Sequence, residues 1–172
     1  MHFQLPIEQL VRRNDTRFQL GFATEAKERI PASEGFALFA SRRGLHVLAR
    51  NEDGLAEPVD VLRDAYGPRL EFGPPSVRLI EGVQLQEPVM HVRIVLETRY
   101  QETVKQALLV RKATLEDEHA RTRQAVLRFE APLAHLLGLP EELRRLTSGT
   151  ARYWIVLSHY ALVTTDPGGR AA

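Results

Sequence analysis

Val89-Met90-His91-Val92-Arg93-Ile94-Val95-Leu96 is the run from which the fold can be built. Its partial alternation and its many β-branched residues predict a strand. Downstream, Arg99 to Lys112 places Val104, Ala107, Leu108 and Val110 at helical spacing, one face of a helix. The polar stretch Thr114 to Thr122 and the apolar stretch Gln124 to Ala131 (Val126, Leu127, Phe129) then read as a hairpin with one solvated strand. Pro140 followed by Glu141 and Glu142 suits the first turn of a second helix. Proline needs no donor there, and carboxylates meet the positive end of the dipole. Gly149 supplies the stop. Ala151-Arg152-Tyr153-Trp154-Ile155-Val156-Leu157 is the most strand-like run in the chain. The resulting order, β-α-β-β-α-β, predicts a split βαβ sandwich, an antiparallel sheet with both helices on one face.

Working outward toward the N-terminus, Ile7 to Asn14 reads as a short helix and Arg17 to Phe22 as a strand. Phe36-Ala37-Leu38-Phe39 and Leu45-His46-Val47-Leu48-Ala49 flank Ser41-Arg42-Arg43-Gly44, a hairpin turn in which Gly44 can take positive φ. Leu55 to Tyr66 has Val59, Leu62 and Tyr66 on one side, a helix with Pro58 in its first turn. Arg69 to Phe72 reads as a strand and is followed by Gly73-Pro74-Pro75 and then by Ser76 to Ile80. The chain as a whole is expected to be α+β, two ferredoxin-like sandwiches in series. The first spans residues 1–82, the second 83–165, and 166–172 form a disordered tail around Asp166-Pro167-Gly168-Gly169-Arg170.

Composition excludes several classes. With 172 residues the chain can bury a core without staples. Its lack of cysteine removes disulfides and thiolate metal sites, as expected of a cytoplasmic protein. Met1-His2-Phe3-Gln4-Leu5-Pro6 is not a signal peptide, and no run approaches the ~18 apolar residues of a membrane span. Divided at Gly82, the chain has 11 basic and 12 acidic residues before (net −1) and 12 and 10 after (net +2). Any contact with nucleic acid must therefore come from a local patch.

The motifs of the second half carry a family resemblance. Leu85-Gln86-Glu87-Pro88-Val89-Met90, then Pro132-Leu133, Gly138, Leu143-Arg144, Thr147 and Gly149, then Ser158-His159-Tyr160 occur in the order and spacing of the fifth domain of elongation factor G. More loosely, Gly73-Pro74-Pro75-Ser76-Val77 resembles the exit from the third domain of that family. Asn14-Asp15-Thr16-Arg17-Phe18 resembles the lead into that domain's second strand, with an insertion between Thr24 and Glu34. The resemblance implies a third-type domain joined by Arg78 to Gln86 to a fifth-type domain, without the fourth. No Gly-x-x-x-x-Gly-Lys-[Ser/Thr] is present to hold phosphates and Mg²⁺, so the chain is not read as a GTPase.

The same resemblance implies a non-catalytic module at the factor-binding centre of the large ribosomal subunit, facing rRNA and the stalk base. The basic residues that would serve it are Arg144 and Arg145 on the second helix, Thr147 and Ser148 at its exit, and Arg152 beyond. Arginine grips phosphate bidentately, and hydroxyls fix position. Arg144 and Arg145 are equally readable as the solvated face of an amphipathic helix. This chain departs from the family at Leu137-Gly138-Leu139, where aromatics flank the glycine, at Ser148, where glutamine is usual, and at Arg111-Lys112-Ala113. In the last case alanine replaces a turn glycine, and the loop is expected to be reshaped. Other expected partners are a separately encoded GTPase or a second copy of the chain, met through exposed sheet edges. A remnant without independent function is the third alternative.

Other chemistry finds little support in the pattern. The histidines at 2, 46, 91, 119, 135 and 159 show no metal-ligand spacing, and neither a metal nor a cofactor is expected. Glu116-Asp117-Glu118 should alternate across a strand and read as a solvated edge. No serine lies in a Gly-x-Ser-x-Gly elbow. RNA binding across the open sheet would require aromatics on its central strands, whereas Tyr153 and Trp154 point to opposite faces.

Overall fold

A computed structural model describes residues 4–31 and 33–163. Two antiparallel sheets carry the chain. The first is built from β1 (Ile7–Arg13), β2 (Phe36–Ser41), β3 (Gly44–Ala49), β4 (Leu70–Phe72) and β5 (Ser76–Val77). Its order is β2-β3-β1-β4, with β5 also on β1. The helices α1 (Gln19–Arg29) and α2 (Ala56–Tyr66) complete this half. The second sheet is formed by β6 (Gln86–Glu97), β7 (Thr114–Ala120), β8 (Gln124–Pro132) and β9 (Arg152–Leu162), in the order β7-β8-β6-β9. Its helices are α3 (Gln101–Val110), a single turn α4 (Leu133–Leu136) and α5 (Leu139–Leu146). Both halves thus have the split βαβ arrangement, and the fold is two ferredoxin-like sandwiches. The tail expected at 166–172 lies outside the described residues.

In the second half the expected elements form where the periodicity placed them. Met90, Val92, Ile94 and Leu96 of β6 and Ala125, Leu127, Phe129 and Ala131 of β8 are buried on the helix side. They meet Val104 and Leu108 of α3 and Leu139 and Leu143 of α5. His91, Arg93 and Arg128 alternate to the open face. Ser158-His159-Tyr160 lies in the second half of β9.

The start of the chain overturns two expectations. Ile7 to Arg13 is the central strand β1, and residues from Gln19 onward form helix α1. Ile7 and Val11, both fully buried, are four apart, a spacing that a helix and a strand share. The residue between them on the core side is Gln9, whose Nε2 donates to Gly73 O (2.8 Å). A polar residue satisfied by tertiary contact thus conceals the alternation. In α1 the buried residues are Phe22, Ala23 and Ala26, while Phe18, within the run expected as a strand, is 69% exposed. Asn14 to Phe18 is the turn into α1 rather than into a second strand, and the insertion expected after Thr24 is largely the rest of that helix. Gln19 closes the junction: its Nε2 donates to Arg13 O (2.8 Å) and Thr16 O (2.7 Å), and its Oε1 accepts the Arg13 N–H (2.9 Å).

The Lys112 loop keeps a tight turn without glycine. Lys112 adopts φ +60, its N–H donates to Leu109 O (2.9 Å), and the Ala113 N–H donates to Leu108 O (3.0 Å). These are the two bonds of a Schellman ending, with a lysine in the left-handed position that glycine normally fills.

The two halves touch. Asn51 Nδ2 donates to Ile155 O (3.1 Å), the Gly138 N–H donates to Glu52 Oε2 (2.9 Å), and the Tyr153 hydroxyl donates to Asp53 Oδ1 (3.2 Å). Three consecutive residues of the first half therefore hold the start of α5 and the start of β9.

Candidate functional site

The residues singled out at the end of α5 come together around one turn. Arg144 and Arg145 occupy the last turn of the helix, and Thr147 follows it with φ −113. The left-handed residue that ends the helix is Ser148 (φ +52), and Gly149 (φ +75) continues the reversal, so the stop expected at Gly149 begins one residue earlier. The Gly149 N–H donates to Arg144 O (2.8 Å), the long bond of the same helix ending seen after α3.

Thr147 is placed differently from the arginines. It is the one buried polar residue among those described, with its hydroxyl donating to Leu143 O (2.7 Å) and accepting the Ala151 N–H (3.2 Å). A hydroxyl so engaged shapes the turn from within rather than facing a partner. Arg145, Ser148 and Arg152 are exposed. Arg144 Nη2 meets Glu141 Oε2 at 3.0 Å and its Nε donates to Pro140 O (3.4 Å), while Arg145 Nη2 is 4.0 Å from Glu142 Oε1. Solvent-exposed pairs of this kind contribute roughly 0–1 kcal/mol, so either guanidinium can exchange its carboxylate for a phosphate at small cost.

The base of this surface is rigidly tied. Arg111 belongs to the departing Arg111-Lys112-Ala113 segment. Its Nε and Nη2 reach Glu142 Oε2 (2.8 and 2.6 Å), and its Nη1 donates to the carbonyls of His135 and Leu137 (both 2.9 Å). One guanidinium thereby joins the ends of α3 and α4 to α5. At the other side, Glu52 accepts from Gly138, which takes φ +77 immediately before α5. Burial raises the Glu52 pKa, and the Gly138 N–H partly opposes this. Burial, with the neighbouring Asp53 carboxylate, pushes Tyr153 up to about 12. Between the halves a cleft of about 320 Å³ is lined by Gln9, Glu52, Asp53, Pro75 and Arg144 among others. Arg144 therefore stands where the helix end meets the junction, a placement that spacing along the chain does not reveal.

On the open face of the second sheet, Trp154 is 46% exposed with the Arg93 guanidinium 5.2 Å from its ring centre. Phe129 is buried on the other face and the Tyr153 hydroxyl is bound to Asp53. Among the described residues, the open sheet thus offers one stacking platform on an edge strand, rather than the several aromatics that single-stranded RNA readers use.

One polar relay escaped sequence reading. Ser41 Oγ lies 2.7 Å from His46 Nε2, and His46 Nδ1 faces Glu8, joining β2, β3 and β1 on the open face of the first sheet. These are residue types of acyl-transfer relays, but Ser41 Oγ also accepts the Arg43 N–H (3.0 Å) inside its own turn. That amide is aimed at the hydroxyl rather than at a position where an oxyanion would develop. The relay adds side-chain bonds to the β1–β3 backbone pairing that attaches the hairpin to β1. Glu8, Ser41 and His46 lie 33 and 5 residues apart in sequence, and only the strand order unites them.

Comparison with known proteins supports the architecture and its family. A crystal structure of a protein from Thermus thermophilus superposes with a TM-score of 0.65 at 14% identity, over 94% of this chain and 41% of that one. At that identity the likeness speaks for the fold alone, and this chain spans well under half of that protein's length. The family described as elongation factor G C-terminus matches residues 84–170, which is 87 of 172 residues. That region contains β6 to β9 and the whole of the α5 exit turn, and the chain belongs to the elongation factor G C-terminus family.

Proposed function

We propose that this chain is a non-catalytic, ribosome-associated module of the cytoplasm that binds near the factor-binding centre of the large subunit. Its division into units 1–82 and 83–165 belongs to the same proposal. The observation that carries it is the α5 exit: Arg145, Ser148 and Arg152 exposed around a turn that Thr147 locks from inside, with Arg144 beside them. Family membership supports the direction of the reading, since this segment is the part of the module that the sequence resemblance turns toward rRNA and the stalk base. In this role Arg144, Arg145 and Arg152 meet phosphates, Ser148 adds a hydroxyl, and Thr147 positions the turn. No described helix is long and apolar enough to cross a membrane.

The test is co-sedimentation of the full chain with ribosomes and isolated large subunits over a salt series, with Arg144→Ala/Arg145→Ala in parallel. Retention should fall as salt rises. The double variant should reduce the slope of log affinity against log salt by roughly 1.5–2, because each lost phosphate contact retains its counterions. A folded protein that is not retained at any salt overturns the ribosome reading and favours a protein partner, a separate GTPase or a second copy.

A further inference from the structure

We propose that the open face of the second sheet holds a zinc-type divalent ion between His91, Glu116 and Glu130. The site lies on the face of the sheet opposite its helices and does not depend on the reading of the α5 exit.

Three neighbouring strands supply the donors. His91 in β6 pairs directly across from Glu130 in β8, so both side chains leave the same face. By ordinary alternation after Leu115, Glu116 falls on that face, and it is the extra residue at an irregularity, where the β7–β8 register shifts between Leu115 and Asp117. This bulge breaks the alternation expected for Glu116-Asp117-Glu118. Glu116 turns to His91, Asp117 to Arg128 (3.5 Å), and Glu118 to Lys105 of α3 on the helix side (2.8 Å). A second bulge, between Val89 and Met90 against β9, brings Ser158 within 3.5 Å of Glu130 Oε2. Bulges re-aim side chains, and here two of them, on opposite sides of the β6–β8 pair, point residues toward one spot.

The distances specify the chemistry. His91 Nδ1 lies 3.4 Å from Glu116 Oε2 and 3.5 Å from Glu130 Oε2, and the three candidate ligand atoms are all within 4.8 Å of one another. A direct charge-assisted hydrogen bond would bring nitrogen and oxygen to about 2.7–2.9 Å. Ligands placed about 2.0–2.2 Å from a tetrahedral ion are separated by roughly 3.3–3.6 Å. The two gaps from His91 fall in the second range, and the two carboxylates lie within 4.8 Å of each other. An octahedral Mg²⁺, with bonds near 2.1 Å, would draw neighbouring ligands to about 3.0 Å, and it takes oxygen rather than imidazole. One imidazole with two carboxylates suits Zn²⁺ and its neighbours in the transition series. The donors are partly exposed, with side chains at 48%, 41% and 32%, so water can complete the coordination and the ion can exchange. The neighbouring cleft of about 380 Å³, lined by Arg93, Arg128 and Trp154, gives access from solvent. Bound there, the ion would staple the edge strand β7 to the two central strands.

Calorimetric titration of the full chain with ZnCl₂, and separately with MgCl₂, tests the proposal, with Co²⁺ absorption reporting the geometry. The expected result is one Zn²⁺ per chain, a raised melting temperature, intense tetrahedral Co²⁺ bands, and no comparable response to Mg²⁺. His91→Ala and Glu116→Gln should each weaken binding more than about tenfold. His119→Ala and His159→Ala should leave it unchanged. Glu116→Gln preserves size at an exposed position and guards against a variant that simply fails to fold. No saturable zinc binding, octahedral Co²⁺ spectra, or binding that survives His91→Ala would overturn the site and leave His91 as an ion-pair partner of two glutamates.

Discussion

The two halves share one strand order yet differ in how firmly their central strands state it. In the second half β6 has 12 residues, paired over long registers on both sides, and carries Val89, Met90, Val92, Ile94, Val95 and Leu96 as buried residues. In the first half β1 has 7 residues, of which only Ile7 and Val11 are buried, and its far flank is divided between the short strands β4 and β5. The same topology can thus rest on a strand with six buried apolar residues or on one that borrows order from its neighbours. The second kind depends on polar contacts such as Gln9 to Gly73 and Gln19 to Arg13.

The largest effects should come from the cores. Phe129→Ala, at a fully buried site in β8, should cost about 3–5 kcal/mol, and Ile7→Ala in β1 about 2–5 kcal/mol. Buried residues of both halves belong to one apolar cluster, and the 51–53 loop bonds across the junction. Urea unfolding of each variant should therefore show one shifted transition. A second transition in either variant would mean that the halves unfold separately.

Next in size is Thr147→Val, which leaves the Ala151 amide and the Leu143 carbonyl without their hydroxyl partner and should cost about 1–3 kcal/mol. Thr147→Ser should recover most of that loss in the same melting assay. If instead Thr147→Val leaves stability untouched but abolishes ribosome retention, the hydroxyl acts on a partner and its placement as an internal brace is wrong.

The junction makes a pH prediction. Tyr153 is an acid whose folded pKa, about 12, lies above its ordinary value of 10.0. Folding holds its proton more tightly, so the Tyr153 contribution is complete below pH 10 and is lost as pH rises from 10 toward 12. Spectroscopic titration should show the Tyr153 tyrosinate forming late, and Asp53→Asn should move it earlier by removing the neighbouring carboxylate. An unchanged titration in that variant would remove Asp53 from the cause.

The smallest effect contrasts two similar helix ends. Lys112→Gly relieves a left-handed lysine, with a steric gain of about 1–2 kcal/mol offset by roughly 0.5–1 kcal/mol of extra unfolded-state freedom. A rise in stability of about 0.5–1 kcal/mol is expected, read from the denaturation midpoint. Loss of stability would show that the lysine side chain makes a contribution its backbone angle conceals.

The contrast between halves also explains what could be read in advance. The long apolar alternation of β6, the helical spacing of α3, the Pro140-Glu141-Glu142 start and the apolar run in β9 each state one conformation, and the second sheet followed from them. Ile7 and Val11 state two, because a separation of four satisfies a helix and a strand alike. At the α5 exit, the arginines were recognisable from residue type and motif. The burial of Thr147 and the shift of the left-handed position to Ser148 depend on packing and on bonds to Ala151 and Leu143. The alternation expected of Glu116-Asp117-Glu118 failed for a local reason: Glu116 is an extra residue in β7, and beyond it the faces of Asp117 and Glu118 are reversed.

By itself, the sequence determined the α+β class, the second βαββαβ order, the hairpin between Phe36 and Ala49, and the family motifs, because each rests on periodicity or on a local run of residues. Only the tertiary structure decided the strand identity of β1, the attachment of Glu52 and Asp53 to the second half, and the meeting of His91, Glu116 and Glu130. Those features join residues tens of positions apart, and their energies come from burial and hydrogen bonds that exist only once the sheets are assembled.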